Sequence, residues 1–163
     1  MIHKNISIKA EGSLKDSHLT TYILDSYEEL EPNLKRPLVL ICPGGAYRFT
    51  ADRAAEMIAL HLNSAGYHAA VLRYSCAPAI FPTALLEVAE SIKLLKEKAE
   101  EWHIDTEKVF VMGLSAGGHL AASYGVFWNR PFVAEKTGVK TEELKVSGLI
   151  LCYPVITSKE EYT

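Results

Sequence analysis

The chain has 163 residues, a length that fits one domain. Apolar residues make up 48% and charged residues 23%, close to the soluble globular average, which excludes a disordered chain. Seventeen Lys and Arg against 20 Asp and Glu leave a net charge of −3, which argues against nucleic acid as the partner and against a polybasic membrane patch.

Residues 1–12 alternate in polarity and lack the apolar stretch of a secretory signal. The longest apolar run, 149–156, falls far short of the roughly 18 residues that span a bilayer. The expected setting is therefore cytoplasmic, without a membrane. Cys42, Cys76 and Cys152 match no zinc-ligand spacing and are expected as buried, reduced thiols. Neither a metal nor a cofactor is expected.

In chain order, Ile2, Ile6 and Ile8 alternate with polar residues, and 20–24 is a second β-prone run, so an antiparallel pair is expected. The charged segment 28–36, with Pro32, reads as a loop. The run 38–42 is continuously apolar, as in a strand buried on both faces. Residues 53–65 predict a helix with Met57, Ile58, His61, Leu62 and Ala65 on its inner face and Gly66 after its end. A strand over 67–74 follows. Pro82 opens a long helix with Leu85, Val88, Ala89, Ile92, Leu95, Ala99 and Trp102 on one stripe. Residues 109–112 predict a third buried strand, 116–128 a helix, and 146–153 a fourth buried strand. Strands alternating with helices mean a mostly parallel sheet with helices on both faces. Such sheets bind ligands beyond the carboxyl ends of their strands.

Two motifs sit at such ends. Gly113-Leu114-Ser115-Ala116-Gly117 lies between a strand and a helix, the setting of a nucleophile elbow. A sharp turn there strains the serine backbone and leaves no room for flanking side chains, a demand Gly113 and Gly117 meet. Pro43-Gly44-Gly45-Ala46-Tyr47 follows the first buried strand. Acyl transfer creates an oxyanion that needs fixed N–H donors, for which Gly45, Ala46 and Ala116 are the candidates. Tyr47, Arg48 and Tyr74 follow strands and are expected to flank a polar alcohol such as a sugar.

The chain resembles an α/β-hydrolase of the small-esterase group, which includes acetyl-xylan and other carbohydrate acetyl esterases, hormone-sensitive-lipase-like enzymes and bacterial sugar hydrolases. The resemblance rests on LVLICPGGAYRF, on VLRYSCAPAIFPTALLEVAESIKLLKEKAEEW, on HIDTEKVFVMGLSAGGHLAA and on GLILCYPVIT, in that order over 38–157. Pro43 and Ala46 stand where the lipase-like branch usually has histidine and a third glycine, which favours the carbohydrate-esterase side. Pro43 and Tyr47 likewise depart from the arylformamidases. The resemblance implies a serine hydrolase acting on small-molecule acyl esters, with Ser115 as nucleophile and no cofactor.

A serine nucleophile needs a base and an orienting carboxylate, in the chain order Ser, acid, His in this fold. After Ser115 the sequence holds one histidine, His119, a helical turn further on and expected to flank the elbow helix. His61 reads as part of an apolar helix face, His68 as part of a strand and His103 as the end of a helix. Asp105 belongs to the opposite end of the sheet. The acid and base are therefore expected beyond residue 163, with the chain as the N-terminal part of a longer hydrolase whose later strands are absent here. A non-catalytic binding domain on the same scaffold, and a peptidase or amidase of the same fold, are the competing readings, and homo-oligomerisation is left open.

Overall fold

The computed structural model describes the chain apart from residues 28, 30, 32, 33 and 158–163 and the side chains of residues 53 and 54. Its elements run β1 (Asn5–Ser7), β2 (His18–Tyr22), β3 (Arg36–Cys42), α1 (Asp52–Ser64), β4 (His68–Arg73), α2 (Thr83–Glu97), β5 (Ile104–Leu114), α3 (Ala116–Phe127), α4 (Pro131–Thr137), α5 (Thr141–Leu144) and β6 (Gly148–Cys152). Among the described residues these strands form one six-stranded sheet in the order β1-β2-β4-β3-β5-β6. The β1–β2 and β2–β4 pairs are antiparallel, and the pairs from β4 to β6 are parallel. The expected antiparallel pair and mostly parallel sheet are both present.

Helices cover both faces. Leu38, Leu40, Ala70 and Leu72 point to one side, where Leu85, Leu86, Val88, Ile92 and Leu95 of α2 meet Leu120 and Tyr124 of α3. Each of these large side chains, removed from water, is worth roughly 1.5–3 kcal/mol. Val39, Ile41, Ala69 and Val71 alternate to the other face and pack on Ala55 and Ala59 of α1.

The fold departs from the sequence expectations in several places. Met57 is 70% exposed and His61 is also exposed. The small Ala55 and Ala59, with Ile58 and Leu62, form the inner stripe of α1 and set its phase. Ala99 and Trp102 are buried but lie past the end of α2. His103 does not end that helix: it sits in a turn with φ 51, its carbonyl accepting from the N–H of Arg36 at 2.8 Å. β5 begins at Ile104, so Asp105 lies within the strand, at the end remote from Ser115. β6 is shorter than expected and not buried, with Ile150 39% and Leu151 41% exposed, because among the described residues no strand lies on its far side. Helices α4 and α5 were not expected. Part of the expected loop at 28–36 lies outside the described residues, and Arg36 already belongs to β3.

His68 is fully buried in β4, between its neighbours. Its Nδ1 accepts from the N–H of Leu24 at 3.1 Å, and its Nε2 faces the carbonyl of His103 at 3.2 Å. Burial pushes its pKa down to about 4, so the ring is neutral. Cys42 and Cys76 are buried and Cys152 is partly so, all three as free thiols. No described helix is long and apolar enough to cross a membrane.

Candidate active site

Strand register brings the two glycine motifs together. Cys42 of β3 lies opposite Gly113 of β5, so residues 43–47 and Ser115 leave adjacent strand ends, although about 70 residues separate them in sequence. Cys152 lies opposite Leu114 on the other flank, which sets Tyr153 beside Ser115.

Ser115 occupies the turn between β5 and α3 with φ 54 and ψ −118. A non-glycine residue at such a positive φ costs on the order of 1–3 kcal/mol and persists only where its surroundings hold it. Here they do. The N–H of Ser115 donates to the carbonyl of Cys152 at 3.0 Å, and its own carbonyl accepts from His119 at 3.0 Å and Val155 at 3.3 Å. The packing needs glycine on either flank: a Cβ on Gly113 would lie 2.0 Å from the carbonyl oxygen of Gly117, and one on Gly117 would lie 2.1 Å from that of Cys42.

The serine borders a cleft of about 670 Å³ with Pro43, Gly44, Gly45, Phe49, Thr50, Ala51, Asp52, Ala55, Leu114 and Tyr153. A Cβ on Gly44 would come within 3.2 Å of the Ser115 Cβ, so the loop backbone runs directly over the serine. None of the backbone hydrogen bonds among the described residues uses the N–H of Gly45, Ala46 or Ala116. Ala116 is the first residue of α3, where N–H groups have no partner within the helix. The loop itself is held in an uncommon shape, with φ 143 at Gly45, 53 at Ala46 and 55 at Tyr47.

The three expected pocket residues are placed differently from one another. The Tyr47 ring meets Tyr74 and His119 edge-on, and its hydroxyl lies 2.8 Å from Nδ1 of His119. Burial raises its pKa, so the phenol stays protonated. Tyr47 and His119 border an apolar pocket of about 260 Å³ with Ile80, Phe81 and Leu120, separate from the Ser115 cleft. Arg48 is exposed and borders a third hollow with Phe49, Asp52 and Arg73. Tyr74 is only 3% exposed, and its hydroxyl donates to the carbonyl of Pro43 at 2.7 Å. It therefore supports the loop from beneath.

Burial pushes the thiol of Cys42 up to about 12 and that of Cys76 to about 11, so both stay protonated and unreactive. Among the described residues no cluster of His, Cys, Asp or Glu could hold a metal ion. Sequence reasoning missed Phe49, Thr50, Asp52 and Tyr153 as cleft residues. Tyr153 was reachable, since it follows a strand end like the others. Phe49 to Asp52 enter the cleft because the loop doubles back before α1, with the N–H of Ala51 donating to the Gly44 carbonyl at 2.8 Å.

Known proteins resemble this chain in fold and sequence. MGS-M1, an alpha/beta hydrolase from a Medee basin deep-sea metagenome library, is 36% identical and matches with a TM-score of 0.78 over 99% of this chain and 60% of its own. The acetyl ester-xyloside bifunctional hydrolase from Caldicellulosiruptor lactoaceticus is 34% identical, with a TM-score of 0.71 over 86% of this chain and 49% of its own. Endo-1,4-beta-xylanase B of Butyrivibrio fibrisolvens is 29% identical over 135 residues, 77% of this chain and 20% of that protein. The chain thus spans from a fifth to three-fifths of the length of these relatives. The BD-FAE family profile matches residues 24–159. With a strand–turn–helix at Ser115 on a mostly parallel sheet, the chain has an α/β-hydrolase fold and belongs to the BD-FAE family.

Proposed function

We propose that these residues are the nucleophile-bearing part of a serine hydrolase that cleaves short-chain acyl esters of carbohydrates. The observation that carries the reading is Ser115 held at φ 54 between β5 and α3, at the floor of a cleft and beneath a loop with free N–H groups. The Ser115 hydroxyl oxygen attacks the ester carbonyl carbon, and its proton passes to a general base. The carbonyl oxygen becomes an oxyanion and takes hydrogen bonds from the N–H groups of Ala116, Gly45 and Ala46. Collapse of the tetrahedral intermediate breaks the bond to the alcohol oxygen, which leaves with the proton from the base. Water, deprotonated by the same base, then releases the acyl group.

No histidine borders the Ser115 cleft among the described residues. We assign the base and its orienting acid to residues beyond these 163. A carbohydrate alcohol is supported by the acetyl ester-xyloside hydrolase and xylanase among the similar proteins. A cytoplasmic site of action is supported by the three unpaired thiols. The test is turnover of acetyl and octanoyl nitrophenyl esters by the full-length protein and its Ser115→Ala variant. The reading expects a higher kcat/KM for acetyl and no turnover by Ser115→Ala. Preference for octanoyl would overturn the short-chain assignment, and turnover by Ser115→Ala would overturn the nucleophile.

A further inference from the structure

We propose that Tyr47 and His119 are positioning residues: their side-chain contact ties the oxyanion loop to the elbow helix and sets the distance between the two halves of the oxyanion site. The inference rests on the serine-hydrolase reading of Ser115. Its starting point is that the loop is held in a conformation it would not choose. Ala46 and Tyr47 are consecutive non-glycine residues at φ 53 and 55. Left-handed backbone is unfavourable for each of them because the Cβ crowds the following carbonyl oxygen. Such a segment relaxes unless outside contacts fix it.

Those contacts converge on Tyr47. Its carbonyl accepts from the N–H of Ala77 at 2.8 Å, its ring packs edge-on to Tyr74, and its hydroxyl reaches Nδ1 of His119 at 2.8 Å. The first two tie the loop to the segment after β4. The third is the side-chain hydrogen bond that ties it to α3, the helix that begins with Ala116 and whose Gly117 backbone packs closely on the Pro43 carbonyl. His119 lies one turn beyond Ser115, and its N–H donates to the Ser115 carbonyl at 3.0 Å. The Gly45 and Ala46 donors of the oxyanion site thus ride on the loop and the Ala116 donor on the helix, with the Tyr47–His119 contact spanning the gap. His119, whose side chain flanks the elbow helix and does not border the Ser115 cleft, acquires a role that needs no proton transfer to Ser115.

The experiment compares Tyr47→Phe, His119→Ala, the double variant and His119→Asn in the full-length protein, with Ser115→Ala alongside. Tyr47→Phe keeps the ring, His119 is exposed, and melting midpoints show that each variant folds. Misplacing a catalytic group by about 1 Å can cost about a hundredfold in rate. We expect each single variant to lose about ten- to a hundredfold in kcat on acetyl nitrophenyl ester, with KM unchanged within about twofold. The double variant should be no slower than the slower single variant, since both remove the same contact. Asn places a polar atom where Nδ1 stood, so His119→Asn should recover most of the lost kcat. Unchanged kcat in both single variants, or losses that multiply in the double variant, would overturn the proposal while leaving Ser115 as nucleophile. Turnover that survives Ser115→Ala would overturn both readings together.

Discussion

At the scale of single residues the site is governed by close approach. Gly117 shows it most directly: its α-carbon faces the carbonyl oxygens of Cys42 and Pro43, which a Cβ would meet at 2.1 and 2.4 Å. Both are backbone atoms and cannot swing aside. Gly117→Ala should therefore lower stability by about 3 kcal/mol and the melting midpoint by about 6–12 °C. A midpoint within 2 °C of wild type, on the order of the measurement error, would show that α3 can back away. At Gly45 the constraint is double, since φ is 143 and a Cβ would sit 1.9 Å from the Phe49 carbonyl oxygen. Gly45→Ala should displace the loop N–H groups and reduce kcat about a hundredfold in a protein that still folds. Proline at Ala46 is a poorer probe, because φ 53 there is incompatible with the proline ring near −65°. The demand at Gly113 and Gly117 was legible because an elbow compresses its requirements into five consecutive positions, whereas the positive φ of Gly45 was not. The Tyr47–His119 contact was not, because it depends on the β3–β5 register, which brings together residues 72 positions apart.

At the scale of elements, β4 carries a titratable brace. His68 accepts from the segment after β2 and faces the carbonyl before β5, so a neutral ring is built into the sheet. Its pKa falls from 6.5 to about 4 on folding. Above pH 6.5 the ring is neutral in both states and the proton balance is even. As pH falls from 6.5 towards 4 the unfolded chain takes up a proton that the folded chain refuses, and stability drops. The full loss is about 3 kcal/mol, complete below pH 4. Denaturant unfolding of wild type and His68→Gln between pH 4 and 7.5 isolates the contribution. The gap between the two should narrow as pH falls, and a gap independent of pH would contradict it. The strand around His68 was readable from its apolar run. The inner face of α1 was misread because large Met57 drew the stripe towards itself, whereas alanines let the helix sit close to the sheet. Helices α4 and α5 are short, and each is fixed by isolated buried residues, Val133, Thr137 and Leu144, too few to make a period.

At the scale of the whole molecule, the sheet presents its chemistry on one rim. Ser115, the 43–47 loop and Tyr153 all follow carboxyl ends of adjacent parallel strands, as the alternating strand and helix pattern implied. Among the described residues β6 is the last strand on that side, and Ile150, Leu151, Tyr153 and Val155 are exposed along it and just beyond. An apolar edge strand is a template for pairing with another chain. A polypeptide of these 163 residues should self-associate at micromolar concentration, and Leu151→Lys should suppress it. Light scattering checks this, and a monodisperse monomer without the substitution would contradict it. The most direct test of the central claim is covalent. A fluorophosphonate probe labels only a serine whose hydroxyl has been activated beside an oxyanion site. Treat the full-length protein with the probe, digest it and locate the adduct by mass spectrometry: the adduct is expected on Ser115 and absent in Ser115→Ala, whereas labelling of another serine, or labelling that persists in Ser115→Ala, would contradict the account.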